Sequence, residues 1–449
     1  MSDQIRLKKG LDLPIAGAAL CEVTKRVAPG LVAVKPTDFR GMLPRLLVKE
    51  GDSVKAGTPL FADKKNPAVV FCSPVSGSVD AIVRGDKRKL LEVRVKADGK
   101  NEAEAFSVPK ISSLGKAEMT EVLLKGGVWP CIKQRPFGTV ADPEATPKAI
   151  FISGFNTAPL GADPEFALKD DFAAIQAGVE ALGKLTKGGV HLSLPAKGLP
   201  ANELHKLTGV VFHVFEGPHP AGNVGVQINH ICPINKGEVV WTVDLHLVAV
   251  IGRLILTGKY DTRRIIAVAG PAAVKPSYVE VPAGVSMKDL AEYFGEGDVR
   301  IISGDVLTGE AVGPEGFLGF YHNQVSVLLE GKYFEMFGWA NPIRSKKYSF
   351  SHAYPAFLRG GKKYEMDTNE NGGERPFLMN DVYGKVLPMD IYPLYLFKAC
   401  LAGDLEKMEN LGIYEVIEED VALCEYVCPS KIDIQNIIRQ GIDLMMKEM

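Results

Sequence analysis

Between Ala149 and Leu256 the chain repeats a single rhythm, which narrows the choice of fold more than any other stretch. Ala149-Ile150-Phe151-Ile152-Ser153 is an apolar run of buried-strand length. Residues 165–185 carry Phe166, Phe172, Ile175, Val179, Leu182 and Leu185 at helical spacing. Val190–Leu194 and Val210–Phe215 read as further strands, and Val239–Val243 as another, followed by a helix with Asp244 at its cap. Strands that alternate with helices call for a parallel sheet covered on both faces. We therefore expect an α/β layer, bounded at residues 98–258.

A chain of 449 residues is too long for one core, so further domains flank this layer. The 52 basic and 54 acidic residues balance to a net charge of −2, which argues against a nucleic-acid footprint. Met1–Arg6 lacks the apolar core of a signal peptide. Seven cysteines without framework spacing suit a reducing compartment. Val239–Leu256 is the most membrane-like run, but Asp244, His246 and Arg253 interrupt it, so we expect no span.

Residues 1–37 read as loop and short strand, with Gly10, Pro14 and Gly17 as punctuation. From Leu47 to Leu60, and again from Ser73 to Val79, short β-rich runs are divided by Gly-Asp, Ala-Gly and Ser-Gly turns. Residues 38–97 resemble the barrel-sandwich hybrid of biotinyl and lipoyl carriers. A carrier modifies a lysine on the hairpin between those halves. Here the hairpin holds Lys64 and Lys65, without the biotin or lipoyl signature and with Asn66-Pro67 beside them. We read them as solvated turn lysines and as candidates for partner contact, with a carrier role as the alternative.

Residues 101–113 read as linker and Met119–Leu124 as helix. No G-x-G-x-x-G joins a strand to a helix, and Trp129-Pro130 follows the one suitable glycine pair, Gly126-Gly127. Glu216–Asn223 places a histidine between two prolines at a strand end. Gly217, Pro218, His219 and Pro220 are therefore our candidates for a functional contact, and a structural turn is the competing reading. Residues 259–335 resemble a β-grasp domain of the soluble-ligand-binding (SLBB-like) type, with Ser286 capping a helix that runs to Tyr293. Residues 313–375 are hard to read, with Lys346-Lys347 and Asn369–Gly373 among them.

Residues 336–449 read as a helical domain over Ile391–Ala402, Leu405–Leu411 and Ile432–Lys447. Cys424-Glu425-Tyr426-Val427-Cys428-Pro429 resembles the end of a ferredoxin motif, C-x2-C-x2-C-x3-C-P. Its first two ligand positions hold Glu418 and Val421. The same frame drawn from Phe377 falls on Asn380, Tyr383 and Leu387, with Pro388 closing it and no cysteine left. We expect a ferredoxin-like helical domain without clusters; the competing reading of the motif is a pair of buried cysteines at a helix end.

The order of these parts, barrel-sandwich hybrid, Rossmann-like α/β layer, β-grasp and degenerate ferredoxin tail, resembles a group of respiratory subunits. It includes the flavin subunit of complex I, the C subunit of the Rnf complex and the A-subunit family of the sodium-pumping NADH:quinone reductase. The last is most similar. The stretches that carry the resemblance are K-K-G-L-D-L-P-I-A-G at 8–17, D-K-K-N-P at 63–67, S-P-V-S-G at 73–77, G-P-H-P-A-G at 217–222, R-I-I-S-G at 300–304, F-G-W-A at 337–340 and A-L-C-E-Y-V-C-P at 422–429.

The resemblance implies a peripheral subunit on the cytoplasmic face of the inner membrane. Its partners would be other subunits of the pump, especially membrane-embedded ones. Ubiquinone would be the substrate of the complex, and Gly217, Pro218, His219 and Pro220 would be the candidates for contact with its head group or with a partner. With neither a flavin loop nor a full cluster motif, we expect no cofactor, no metal and no catalytic residue in this chain. The alternative is a flavin- and NADH-binding electron-input subunit.

Overall fold

A computed structural model describes residues 4–199, 202–336, 347–351 and 362–448. The F-G-W-A stretch at 337–340 and Lys346 lie outside the described residues.

The α/β rhythm becomes a seven-stranded sheet. Ile150–Ser153, Val190–Pro195 and Val210–Glu216 run parallel side by side, and Val240–Thr242 pairs parallel on the other side of Ile150–Ser153. The antiparallel strands Lys133–Arg135 and Thr139–Val140 extend the sheet beyond Val240–Thr242. The run read as helical over 165–185 is two helices, Pro164–Ala167 and Phe172–Gly183. Phe172–Gly183 packs beside Leu245–Thr257, and both bury apolar faces in one core with Ile150, Ile152 and Leu192. Asp244 stands at the cap position of Leu245–Thr257, but its side chain makes no capping bond. The carboxylate pairs instead with Lys133 Nζ at 3.0 Å, where an ionic partner outcompetes a backbone N–H.

The N-terminal segment is not a free loop. Gln4–Arg6 adds a parallel strand to the edge formed by Val210–Glu216. Leu20–Arg26 adds an edge strand to the six-stranded sheet of the β-grasp region. Leu31–Val34 pairs with Leu90–Ala97 inside the sandwich, which therefore takes in residues ahead of the expected start at 38. Each stretch is too short to stand alone, and each satisfies its backbone groups on an existing sheet edge. One segment thus stitches three domains together.

The sandwich packs a four-stranded sheet on a three-stranded one, with Val32, Val93, Val95, Leu60, Phe61 and Phe71 fully or almost fully buried between them. Ser286 caps as expected, its hydroxyl accepting Lys288 N–H at 3.3 Å, but the turns to Tyr293 are 3-10 rather than α. The C-terminal helices are Val382–Val386, Pro393–Ala402, Leu405–Asn410, Glu418–Val427 and Ile434–Glu448. Glu418–Val427 ends at Cys428, so Cys424 and Cys428 are a pair of buried cysteines at a helix end. The helix forms on a buried side of Val421, Leu423 and Cys424.

Candidate functional site

A cavity of about 500 Å³ opens where the four folded parts meet. Along the parallel sheet, the first strand in sequence (Ile150–Ser153) lies between the second (Val190–Pro195) and the fourth (Val240–Thr242), so strand order reverses there. Ligands of doubly wound sheets bind at the carboxyl ends of strands at such a switch point. Ser153, Phe155, Asn156 and Ala158 follow the first of those strands into the cavity wall, and Val243, Asp244 and His246 follow the other. Asp38 comes from the start of the sandwich, Asp305 and His322 from loops beside the β-grasp strands Val299–Ser303 and Gln324–Leu329, and Glu418, Glu419 and Arg439 from the C-terminal helices. The wall carries five carboxylates, of Asp38, Asp244, Asp305, Glu418 and Glu419, against the cations Arg40, Lys133 and Arg439. Several are spent on each other: Arg40 Nη1 lies 2.5 Å from Glu418 Oε1, and Lys133 sits 4.8 Å over the Tyr321 ring while pairing with Asp244.

The loop after Val210–Glu216 reaches this cavity through His219, Gly222 and Asn223. It does not stand out as a presented loop. The N-terminal segment lies against it: Leu11 N–H donates to His219 O at 2.8 Å and His219 N–H donates to Asp12 Oδ1 at 2.8 Å. Gly217 is exposed, Pro218 half-buried, His219 and Pro220 buried. Gly217 has φ +157 and no room for a side chain, since a Cβ would lie 2.7 Å from that of Leu7. Gly222 needs no unusual backbone angle; it is small because a Cβ there would lie 2.7 Å from Thr157 N. Inside the fold, His219 Nδ1 lies 3.1 Å from Thr157 Oγ1, and burial pulls its pKa down to about 4 against the opposing carboxylates of Asp305 and Asp12. The imidazole is therefore neutral at neutral pH.

Lys64 and Lys65 lie elsewhere. Both are exposed on the sandwich hairpin; Lys64 N–H donates to Leu43 O at 2.7 Å and Lys65 N–H to Asp63 Oδ1 at 3.1 Å. Neither lines the cavity. Changing both to alanine should change the free energy of unfolding in urea by about 0.5 kcal/mol or less. A larger loss, or a biotin- or lipoate-sized mass on either residue, contradicts that reading.

The two ferredoxin frames meet. Tyr383, at the third position of the first frame, is fully buried, with its hydroxyl 3.1 Å from Cys428 Sγ at the fourth position of the second. In two-cluster ferredoxins that fourth cysteine serves the other cluster; here the group it meets is a phenol, which is no cluster ligand. Tyr383 packs against Phe377 and Phe397, at 6.0 and 5.6 Å between ring centroids. Burial pushes the Cys424 thiol well above its ordinary pKa, away from the thiolate that binds iron. These residues do not fit a cluster. Among the described residues no group of three or more His, Cys, Asp or Glu side chains is placed to hold a metal ion.

Sequence reasoning singled out His219 but missed Asp38, Lys133, His246 and His322. The signal available was positional: Ser153 closes one apolar strand, and Asp244 follows shortly after another.

Comparisons with known proteins agree along the chain. Residues 5–98 match a family model described as the NqrA N-terminal barrel-sandwich hybrid domain. Residues 114–260 match the NqrA second alpha/beta domain, and residues 265–313 the NQRA C-terminal domain. The A subunit of the Na(+)-translocating NADH-quinone reductase of Vibrio atlanticus (strain LGP32) is 38% identical over 448 residues, covering 99% of this chain and 100% of the relative. Its counterpart from Yersinia pestis bv. Antiqua (strain Angola) is 39% identical, with the same coverage.

Proposed function

This chain belongs to the family of A subunits of the Na(+)-translocating NADH-quinone reductase, and from that premise we propose how it serves its complex. It acts as a peripheral component on the cytoplasmic face of the inner membrane, beside membrane-embedded partners, in ubiquinone reduction and sodium export. It carries no redox group of its own, and its cavity receives the ubiquinone head group at His219. No helix among the described residues is long and apolar enough to cross a membrane, which supports the peripheral placement.

The observation that carries the proposal is His219 itself. It is a buried neutral imidazole at a strand-end cavity, with one nitrogen tied to Thr157 and no protein partner for the other among the described residues. A neutral N–H suits a quinone carbonyl. The flavin- and NADH-binding alternative needs a seat for a pyrophosphate. Five carboxylates against three cations, with no glycine-rich loop at the switch point, oppose it.

The test is His219→Ala in the whole complex. We expect assembly to hold and KM for ubiquinone to rise by about tenfold, the value of one well-placed hydrogen bond. If assembly falls while the chain melts normally, the loop is a contact between subunits instead. If folding, assembly and quinone reduction all match the wild type, the assignment is wrong. The isolated chain, treated anaerobically with iron and sulfide, should retain no stoichiometric iron or acid-labile sulfide.

A further inference from the structure

Three histidines line this cavity, and each has a ring nitrogen already committed. At His246, Arg264 Nη1 lies 3.3 Å from Nε2. A guanidinium only donates, so Nε2 accepts and Nδ1 carries the hydrogen. At His322, Ser303 Oγ lies 2.8 Å from Nδ1 and also accepts Gly319 N–H at 2.8 Å. Ser303 is fully buried, so its hydroxyl hydrogen goes to His322 Nδ1, leaving the ring hydrogen on Nε2. At His219, Thr157 Oγ1 accepts Gly222 N–H at 2.9 Å and directs its own hydrogen to Nδ1, again leaving Nε2–H. None of these three N–H groups has a protein acceptor among the described residues. Burial lowers the pKa of all three, to about 4 for His219 and about 3 for His246, so all are neutral donors at neutral pH.

This donor set restricts the ligand. A metal needs free nitrogen lone pairs, but each lone pair here is occupied and each free position bears a hydrogen. An anion meets a wall with more carboxylates than cations. What remains is an uncharged ligand with several acceptor oxygens.

We propose that His219, His246 and His322 together grip an uncharged, acceptor-bearing ring, the head group of a quinone, with His246 and His322 setting its orientation. This rests on the quinone reading given above and extends it to residues from two domains. His219 and His246 belong to the α/β layer and His322 to the β-grasp region, so a ring held by all three bridges the two domains.

The full chain labelled with 15N-histidine and titrated with ubiquinone-1 tests this without mutation. His219 and His322 should appear as Nε2–H tautomers and His246 as Nδ1–H, and all three should shift as ubiquinone-1 is added. A second measurement separates contact from architecture. In the complex, His322→Phe should raise KM for ubiquinone-1 by about three- to tenfold with kcat unchanged, and His322→Gln, which keeps an N–H donor, should recover most of it. A shift at His219 alone, or equal KM values for His322→Phe and wild type, overturns this inference and leaves the His219 reading standing. No shift at any of the three overturns both.

Discussion

Replacing Arg135 with leucine will destabilise the chain by about 3–5 kcal/mol and loosen the C-terminal helices from the α/β layer. Arg135 is 2% exposed. Its Nη1 donates to Asp420 Oδ2 at 2.7 Å and its Nη2 to Glu419 Oε1 at 2.5 Å, across 285 and 284 residues of sequence. Asp420 is itself buried and also accepts Ile417 N–H at 3.0 Å, closing the first turn of Glu418–Val427. Gly225 lets its helix reach this pair, since a Cβ there would lie 2.3 Å from Asp420 Oδ1. Removing the guanidinium leaves a carboxylate buried without a counter-charge, which costs more than the pair contributed. Urea unfolding of the variant, with limited proteolysis between residues 362 and 417, measures both effects. Replacing Asp420 with leucine in the same variant should recover part of the loss, because the stranded charge is then gone. A single variant within about 1 kcal/mol of wild type would show that the contact is dispensable.

Acid will weaken the same assembly through its buried histidines. The folded pKa values of His219 and His246, about 4 and about 3, lie below the ordinary value of 6.5 expected in the unfolded chain. The unfolded chain therefore binds more protons in the interval. Stability is complete above pH 6.5 and is lost as pH falls through 6.5 toward 4 and 3. At pH 5 each histidine accounts for about 2 kcal/mol. His219 faces Asp305 and Asp12, and His246 faces Arg264, Asp244, Lys133 and Arg253; burial outweighs the carboxylates in both. Asp38 and Glu419, whose buried carboxyls are held above their ordinary pKa, act in the opposite direction. The comparison is therefore between slopes. His246→Gln should make stability fall by about 2 kcal/mol less than wild type between pH 7 and pH 5, read from urea midpoints. Parallel slopes would show that His246 titrates normally in the folded chain.

Much of the architecture was legible because it is written in local chemistry. The turns from Leu47 to Val79, and the strand–helix rhythm from Ala149 to Leu256, depend on residues a few positions apart. The loop at His219 was found from its prolines and its place after a strand. Its burial under residues 7–12 was not, because nothing in Gly217–Asn223 says what lies on top of it.

By itself, the sequence determined the strand–helix rhythm of the α/β layer, the turns of the sandwich and the order of these parts along the chain. These follow from side-chain periodicity and turn residues, which act at short range. Only the tertiary structure decided which sheet edges Gln4–Arg6, Leu20–Arg26 and Leu31–Val34 join, because an edge accepts any strand that reaches it in register. It alone decided that Arg135 meets Asp420, and that His219, His246 and His322 share one cavity. Hydrogen bonds and ion pairs act over a few ångströms, so side chains this far apart in sequence acquire their chemistry only when packing brings the domains together.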